Sequence, residues 1–109
     1  MNLGELVDKV RSYHPVADTK MIGQAYTFSE RMHQGQKRLS GDPYFVHPGG
    51  VASIIADMKL NVPSIITGLL HDTVEDTLTT LEQVEKDFGT EVSSLVDGVT
   101  KISQINFTT

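Results

Sequence analysis

The chain has 109 residues, 39% hydrophobic and 21% charged, with a net charge of −5 and no cysteine. That length supports one small domain around one core, and no apolar run approaches the roughly 20 residues that span a bilayer, so a membrane is not an expected partner. The lack of cysteine excludes disulfides and thiolate metal sites and suits a reducing, cytoplasmic setting, while the acidic balance argues against DNA, whose backbone calls for a basic face.

Helical patterns follow one another along the chain. Leu3, Leu6, Val7 and Val10 recur at helical spacing, and Pro15 ends that helix. Asp18 is a good N-cap for a second helix reaching about Met32, with Met21, Ile22, Ala25, Phe28 and Met32 on its apolar face. The segment 33–48, "HQGQKRLSGDPYFVHP", holds two glycines and two prolines. It is expected to be a long loop with a short extended piece at residues 44–46, the kind of irregular segment that often carries function.

Pro48 suits the first position of a third helix, which puts His47 at its N-cap and Val51, Ile54, Ile55 and Met58 on one face. Pro63 opens "PSIITGLLHD", apolar nearly all round and so expected at the centre of a bundle. Thr80 and Gln83 have the spacing of a capping box ahead of "LEQVEKDF". Gly89 stops that helix, and Thr90 is expected to cap the last, "EVSSLVDGVTKI". No strand pattern, repeat or linker competes. The expectation is a single all-α domain over residues 1–109 with about five to six helices.

"GLLHDTVEDT" is the stretch richest in chemistry. Asp72, Glu75 and Asp76 fall within five residues, directly after His71, and like charges that close need a neutralising partner. Histidine with carboxylate ligates divalent metals. The alternative is a plain helix end, with His71 complementing the dipole and Asp72 capping the next turn. His47, fixed by Pro48, offers a second imidazole; the alternative is a cap, a role histidine seldom fills. Two imidazoles and one carboxylate leave coordination positions open for water and substrate. Glu75 and Asp76 then orient or deprotonate that water, or else they are merely solvated. Lys37, Arg38 and Ser40, on the glycine-containing loop, suit phosphate binding, although alone they also fit a solvated basic turn. His14 and His33 read as structural or solvent-facing.

Three linked stretches, "GQKRLSGDPYFVHP", "LLHDTVEDT" and "VDGVTKI", make residues 25–103 resemble the HD-type hydrolase domain of the RelA/SpoT family of alarmone enzymes. The resemblance implies an HD-domain helical bundle. It further implies manganese held by His47, His71 and Asp72, guanosine nucleotide contacts from Arg38 and Ser40, and catalysis by Glu75 and Asp76. The implied reaction removes the 3′-pyrophosphate of ppGpp or pppGpp to leave GDP or GTP.

Two departures bear on these expectations. The family's further aspartate ligand, in a stretch resembling "KLADRLHN", has no counterpart here, and Leu39 stands where the family carries lysine. The chain is therefore expected to be the N-terminal part of a larger protein, truncated before the final metal-ligand helix. Weak metal binding, slight or absent turnover and self-association through uncovered apolar faces are expected of it alone, and ribosome contact would belong to domains it lacks. An alternative is a catalytically decayed HD module that regulates a (p)ppGpp synthetase, a reading that the intact His47, His71, Asp72, Glu75 and Asp76 oppose.

Overall fold

The computed structural model describes the backbone of residues 2–34 and 46–108, and the side chains of 2–34, 50–74 and 77–101. The described residues form an all-α fold of seven helices: α1 (Leu3–Tyr13), α2 (Thr19–Met32), α3 (Val46–Asp57), α4 (Val62–Leu70), α5 (Thr73–Asp76), α6 (Leu81–Phe88) and α7 (Thr90–Thr108). None of these helices is long and apolar enough to cross a membrane.

Short polar side chains start most of the helices by taking up amide N–H groups that the first turn leaves without partners. Asn2 accepts from the Glu5 amide at 2.9 Å and Glu5 reaches back to the Asn2 amide, a full capping box. Asp18 accepts from the Met21 amide at 3.2 Å, as its position before the second apolar stripe predicts. Asn61 accepts from the Ser64 amide at 3.0 Å, so α4 begins one residue before Pro63. Thr80 accepts from the Gln83 amide at 3.1 Å, but this is only half of the expected box.

Gly89 both ends α6 and starts α7. Its amide donates to the Glu85 carbonyl at 2.9 Å, and its carbonyl accepts from the Ser93 amide at 3.1 Å. Its φ of +95° is left-handed territory that suits glycine. Thr90 is thus the first helical residue of α7 rather than its cap. "QINFT", expected to lie beyond the last helix, continues it to Thr108.

The central helix is α4. Ile65, Ile66, Thr67, Gly68, Leu69 and Leu70 are all buried, because α2, α3 and α7 each pack against it. An all-round apolar helix has this fate, since no face of it gains from water. Leu6 and Val10 of α1, Ile22 and Ala25 of α2, Val84 of α6 and Val96 of α7 complete a single core. The Phe28 and Phe88 rings meet edge to face at 5.8 Å and tie α2 to α6. The Lys9 ammonium joins α1 to α3 through Asp57 at 2.7 Å and the Ser53 hydroxyl at 3.0 Å.

Helix α3 is rotated from the expected orientation. Among its described side chains the buried ones are Ala52 and Ala56, with Ile55 packed beside them, whereas Ile54 and the following Met58 are 61% and 64% exposed. The reason lies in the facing helix. A Cβ on Gly68 would stand 2.7 Å from Ile55 Cδ1 and 3.3 Å from Ala52 Cα. The two backbones approach so closely that small residues must face each other, and the larger Ile54 and Met58 turn outward. The link between α3 and α4 is a tight turn that returns the chain antiparallel. The Leu60 amide reaches the Ile55 carbonyl, the Lys59 amide reaches that of Ala56, and Lys59 takes a φ of 59°. The Tyr13 hydroxyl donates to the Leu60 carbonyl at 2.7 Å and holds the turn against α1.

Because the pair is antiparallel, the start of α3 and the end of α4 lie at the same end of the bundle. Filling the contact at Gly68 should therefore disturb both stability and that end. Gly68→Val is expected to lower the urea midpoint by an amount equivalent to about 1–3 kcal/mol, read by far-UV circular dichroism.

Candidate metal centre at the end of the central helix

The central helix ends at Leu70, and a new four-residue helix starts at Thr73. His71 and Asp72 occupy the two-residue break, both with αR backbone angles, so the chain keeps its winding sense while the regular hydrogen bonding lapses. The Thr73 side chain, fully buried, donates to the Leu70 carbonyl at 2.6 Å and spans the break.

The His71 ring is oriented by the helix it follows. Its Nδ1 lies 2.8 Å from the Gly68 carbonyl. A carbonyl only accepts, so Nδ1 carries a proton and Nε2 is the nitrogen turned toward Asp72. That Nε2 stands 3.2 Å from Asp72 Oδ2, and the two side chains are only 16% and 13% exposed. A ring nitrogen and a carboxylate oxygen this close, both largely out of water, are held by a positive species between or beside them. A shared proton is one such species and a metal ion is another. Ligands at roughly 2.1 Å from one ion lie about 3.0 Å apart when they occupy adjacent octahedral positions, so the observed spacing fits cation binding. The bond from Nδ1 to a backbone carbonyl is also the usual support behind a ligating histidine. The His71–Asp72 pair thus fits a divalent metal on its donor chemistry.

The capping alternative for Asp72 is not realised, since its side chain makes no cap hydrogen bond to α5. Glu75 and Asp76 fall within α5, after the break rather than on a continuation of α4; their side chains lie outside the described residues. His47 is the second residue of α3, which begins at Val46, and so sits inside the first turn rather than at the N-cap. Pro48 tolerates this because amides of the first turn need no helical acceptor. Residue 46, expected in an extended piece, opens the helix instead. The His47 side chain, and Lys37, Arg38 and Ser40 altogether, lie outside the described residues. Among the described residues no group of three or more histidine, aspartate or glutamate side chains able to hold a metal forms.

The two other histidines have structural settings. His14 ends α1, its amide bound to the Val10 carbonyl. His33 is 2% exposed, with Nδ1 donating to the Ser29 carbonyl at 3.1 Å. An open groove of about 620 Å³, lined by Lys20, Gln24, Thr27, Phe28, Arg31 and Phe88 among others, contains neither His71 nor Asp72, the candidate site residues whose side chains are described.

Threonine hydroxyls are what the sequence reading missed. Thr77 donates to the Thr73 carbonyl, which already accepts the Thr77 amide at 3.1 Å. Its only proton being spent, the Thr77 oxygen then accepts from the Thr79 hydroxyl at 2.8 Å and the Thr79 amide at 3.1 Å. Threonines at 73, 77 and 79, on either side of the acids, were the available signal.

A test separates ligand from cap. Thr80→Ala is expected to cost about 1 kcal/mol, since Thr80 is a working N-cap. Asp72→Asn, with no cap bond to lose, should shift stability by less than half as much, measured by urea unfolding without metal.

Comparison with known proteins agrees with this architecture. Residues 25–109 match the model of the HD domain. A "GTP pyrophosphokinase" of Myxococcus xanthus is 55% identical over 97 residues, covering 89% of this chain and 13% of that protein. A "GTP pyrophosphokinase" of Streptomyces coelicolor is 46% identical over 108 residues, covering 96% and 13%. A "GTP pyrophosphokinase rsh" of Brucella melitensis is 43% identical over 102 residues, covering 94% and 14%. The chain thus spans only about one-seventh of the length of these relatives. A helical domain with a histidine–aspartate pair at the end of its buried helix, matched over most of its length, belongs to the HD domain family, in the form carried by RelA/SpoT proteins.

Proposed function

We propose that this domain is the front part of a manganese-dependent phosphohydrolase that removes the 3′-pyrophosphate of ppGpp or pppGpp, leaving GDP or GTP. The observation that carries the reading is the His71–Asp72 pair, with Nε2 and Oδ2 3.2 Å apart and the Nδ1 proton committed to the Gly68 carbonyl. With the Nδ1 proton committed, Nε2 is the ring nitrogen left to ligate beside the carboxylate, and His47, on the first turn of α3 at the same end of the bundle, would supply a third donor. When bound, the ion would polarise a phosphoryl oxygen and lower the pKa of water.

The chain's own residues have the remaining roles. Arg38 grips phosphate oxygens through its guanidinium fork, Lys37 adds charge and Ser40 donates a hydroxyl proton. Glu75 and Asp76 orient the attacking water and take its proton. The water oxygen bonds to the phosphorus attached to the ribose 3′ oxygen, the P–O3′ bond breaks, and the 3′ oxygen gains a proton as pyrophosphate departs. The nucleotide is the partner and the cytoplasm the setting.

A second reading has one observation in its favour. The name of the relatives, GTP pyrophosphokinase, describes pyrophosphate transfer to GTP, so the HD domain would serve as a regulatory module of such an enzyme. The retained His47, His71, Asp72, Glu75 and Asp76 favour hydrolysis, because a module selected only for regulation has no need of all five.

The test is ppGpp turnover by the chain continued through the further aspartate of the family. In Mn²⁺ it is expected to release pyrophosphate and GDP in equal amounts, followed by anion-exchange chromatography. Asp72→Asn should reduce the rate at least about a hundredfold, on the order of removing a principal electrostatic group from the reaction centre. Metal-independent turnover, or turnover unchanged in Asp72→Asn, overturns the reading.

A further inference from the structure

The acids of this site stand on a helix too short to hold itself. Helix α5 has four residues, and the Thr77 amide closes its last turn on the Thr73 carbonyl. So short a helix is unfavourable in isolation, since its first turn fixes many dihedrals for few bonds. Its surroundings must supply the rest, and the threonine hydroxyls do so. The Thr73 hydroxyl closes the front, across His71 and Asp72 to the Leu70 carbonyl. The Thr77 hydroxyl closes the back, across Val74, Glu75 and Asp76 to the Thr73 carbonyl.

Thr77 is the more demanding of the two. Its backbone is extended, with φ −134° and ψ −177°, so the helix ends at this residue. Its hydroxyl nevertheless reaches back into the helix while its oxygen collects the amide and hydroxyl of Thr79, which is 4% exposed. One side chain therefore fixes both the last turn of α5 and the direction in which the chain leaves it.

We infer that Thr77 is a positioning residue for the metal centre: its hydroxyl holds α5 wound, and through α5 it holds Asp72 in reach of the His71 Nε2. The inference rests on the proposed metal reading and deepens it. Thr77 touches neither metal nor substrate in this account. It acts by keeping the α5 backbone wound against the repulsion among acids so close in sequence.

The experiment compares Thr77→Val, which preserves shape and removes the hydroxyl, with Thr77→Ser, which restores it. Thr67→Val is the control. Thr67 also donates to a helix carbonyl, that of Pro63 at 2.8 Å, but on the far side of Gly68 from the site. Mn²⁺ binding is read from the electron paramagnetic resonance of the free ion, and local order from amide hydrogen exchange without metal. Thr77→Val should weaken Mn²⁺ binding about tenfold, the usual scale for residues that support a metal ligand. It should also speed amide exchange within residues 72–77 while leaving α4 protected. Thr77→Ser and Thr67→Val should bind within about threefold of the parent, well inside that scale. Equal binding by Thr77→Val and the parent, or equal loss in Thr67→Val, overturns the positioning role alone. A parent chain that takes up no Mn²⁺ at millimolar concentration overturns the metal reading and this inference with it.

Discussion

Gly68 imposes the constraint on which the site depends, and it does so from both sides of its backbone. Where a side chain would project, α3 approaches so closely that a Cβ would meet Ile55 and the Ala52 backbone. Its carbonyl, meanwhile, fixes the protonated nitrogen of the His71 ring. One residue thus sets how near the helix bearing His47 comes and which nitrogen of His71 is presented. The close packing and the committed tautomer are separate effects with a common origin, and both converge on the end of the bundle where the acids lie.

The electrostatics at that end are one-sided. The C-terminus of α4 brings the negative end of its dipole to the point where Asp72 begins the acidic run. The Leu70 and Gly68 carbonyls are each engaged, by Thr73 and His71 respectively, while the acids of the turn remain to be balanced. An ion of opposite sign therefore lowers the energy of the whole turn, beyond that of its direct ligands. The same field would resist the approach of a phosphate, and for that reason cations on the 35–45 segment matter to the proposed chemistry as much as the ligands do.

Local rules made much of the fold legible. Asp18 and Thr80 cap their helices as their positions suggest, because a cap joins groups three residues apart and owes little to the rest of the molecule. The buried fate of α4 was equally plain from its composition. The rotation of α3 was not. Val51, Ile54, Ile55 and Met58 show a helical period, but which residues face inward was decided by a glycine on another helix, and a pattern within one element carries no such information. The break after Leu70 was hidden for a similar reason: His71 and Asp72 keep helical angles, and the interruption arises from side-chain hydroxyls replacing backbone donors. The candidate ligands themselves were visible as residue types in a compact run, whereas the arrangement of Nε2 against Oδ2 needed the fold.

The corner between α6 and α7 has a mechanical consequence. Gly89 serves both helices at once, so no spare residue separates them and the joint has no slack. The two segments must turn as one elbow, and any added length there would swing the long arm of α7 away from α4. The angle at which that arm leaves the bundle is therefore set at one residue, with little room to adjust it.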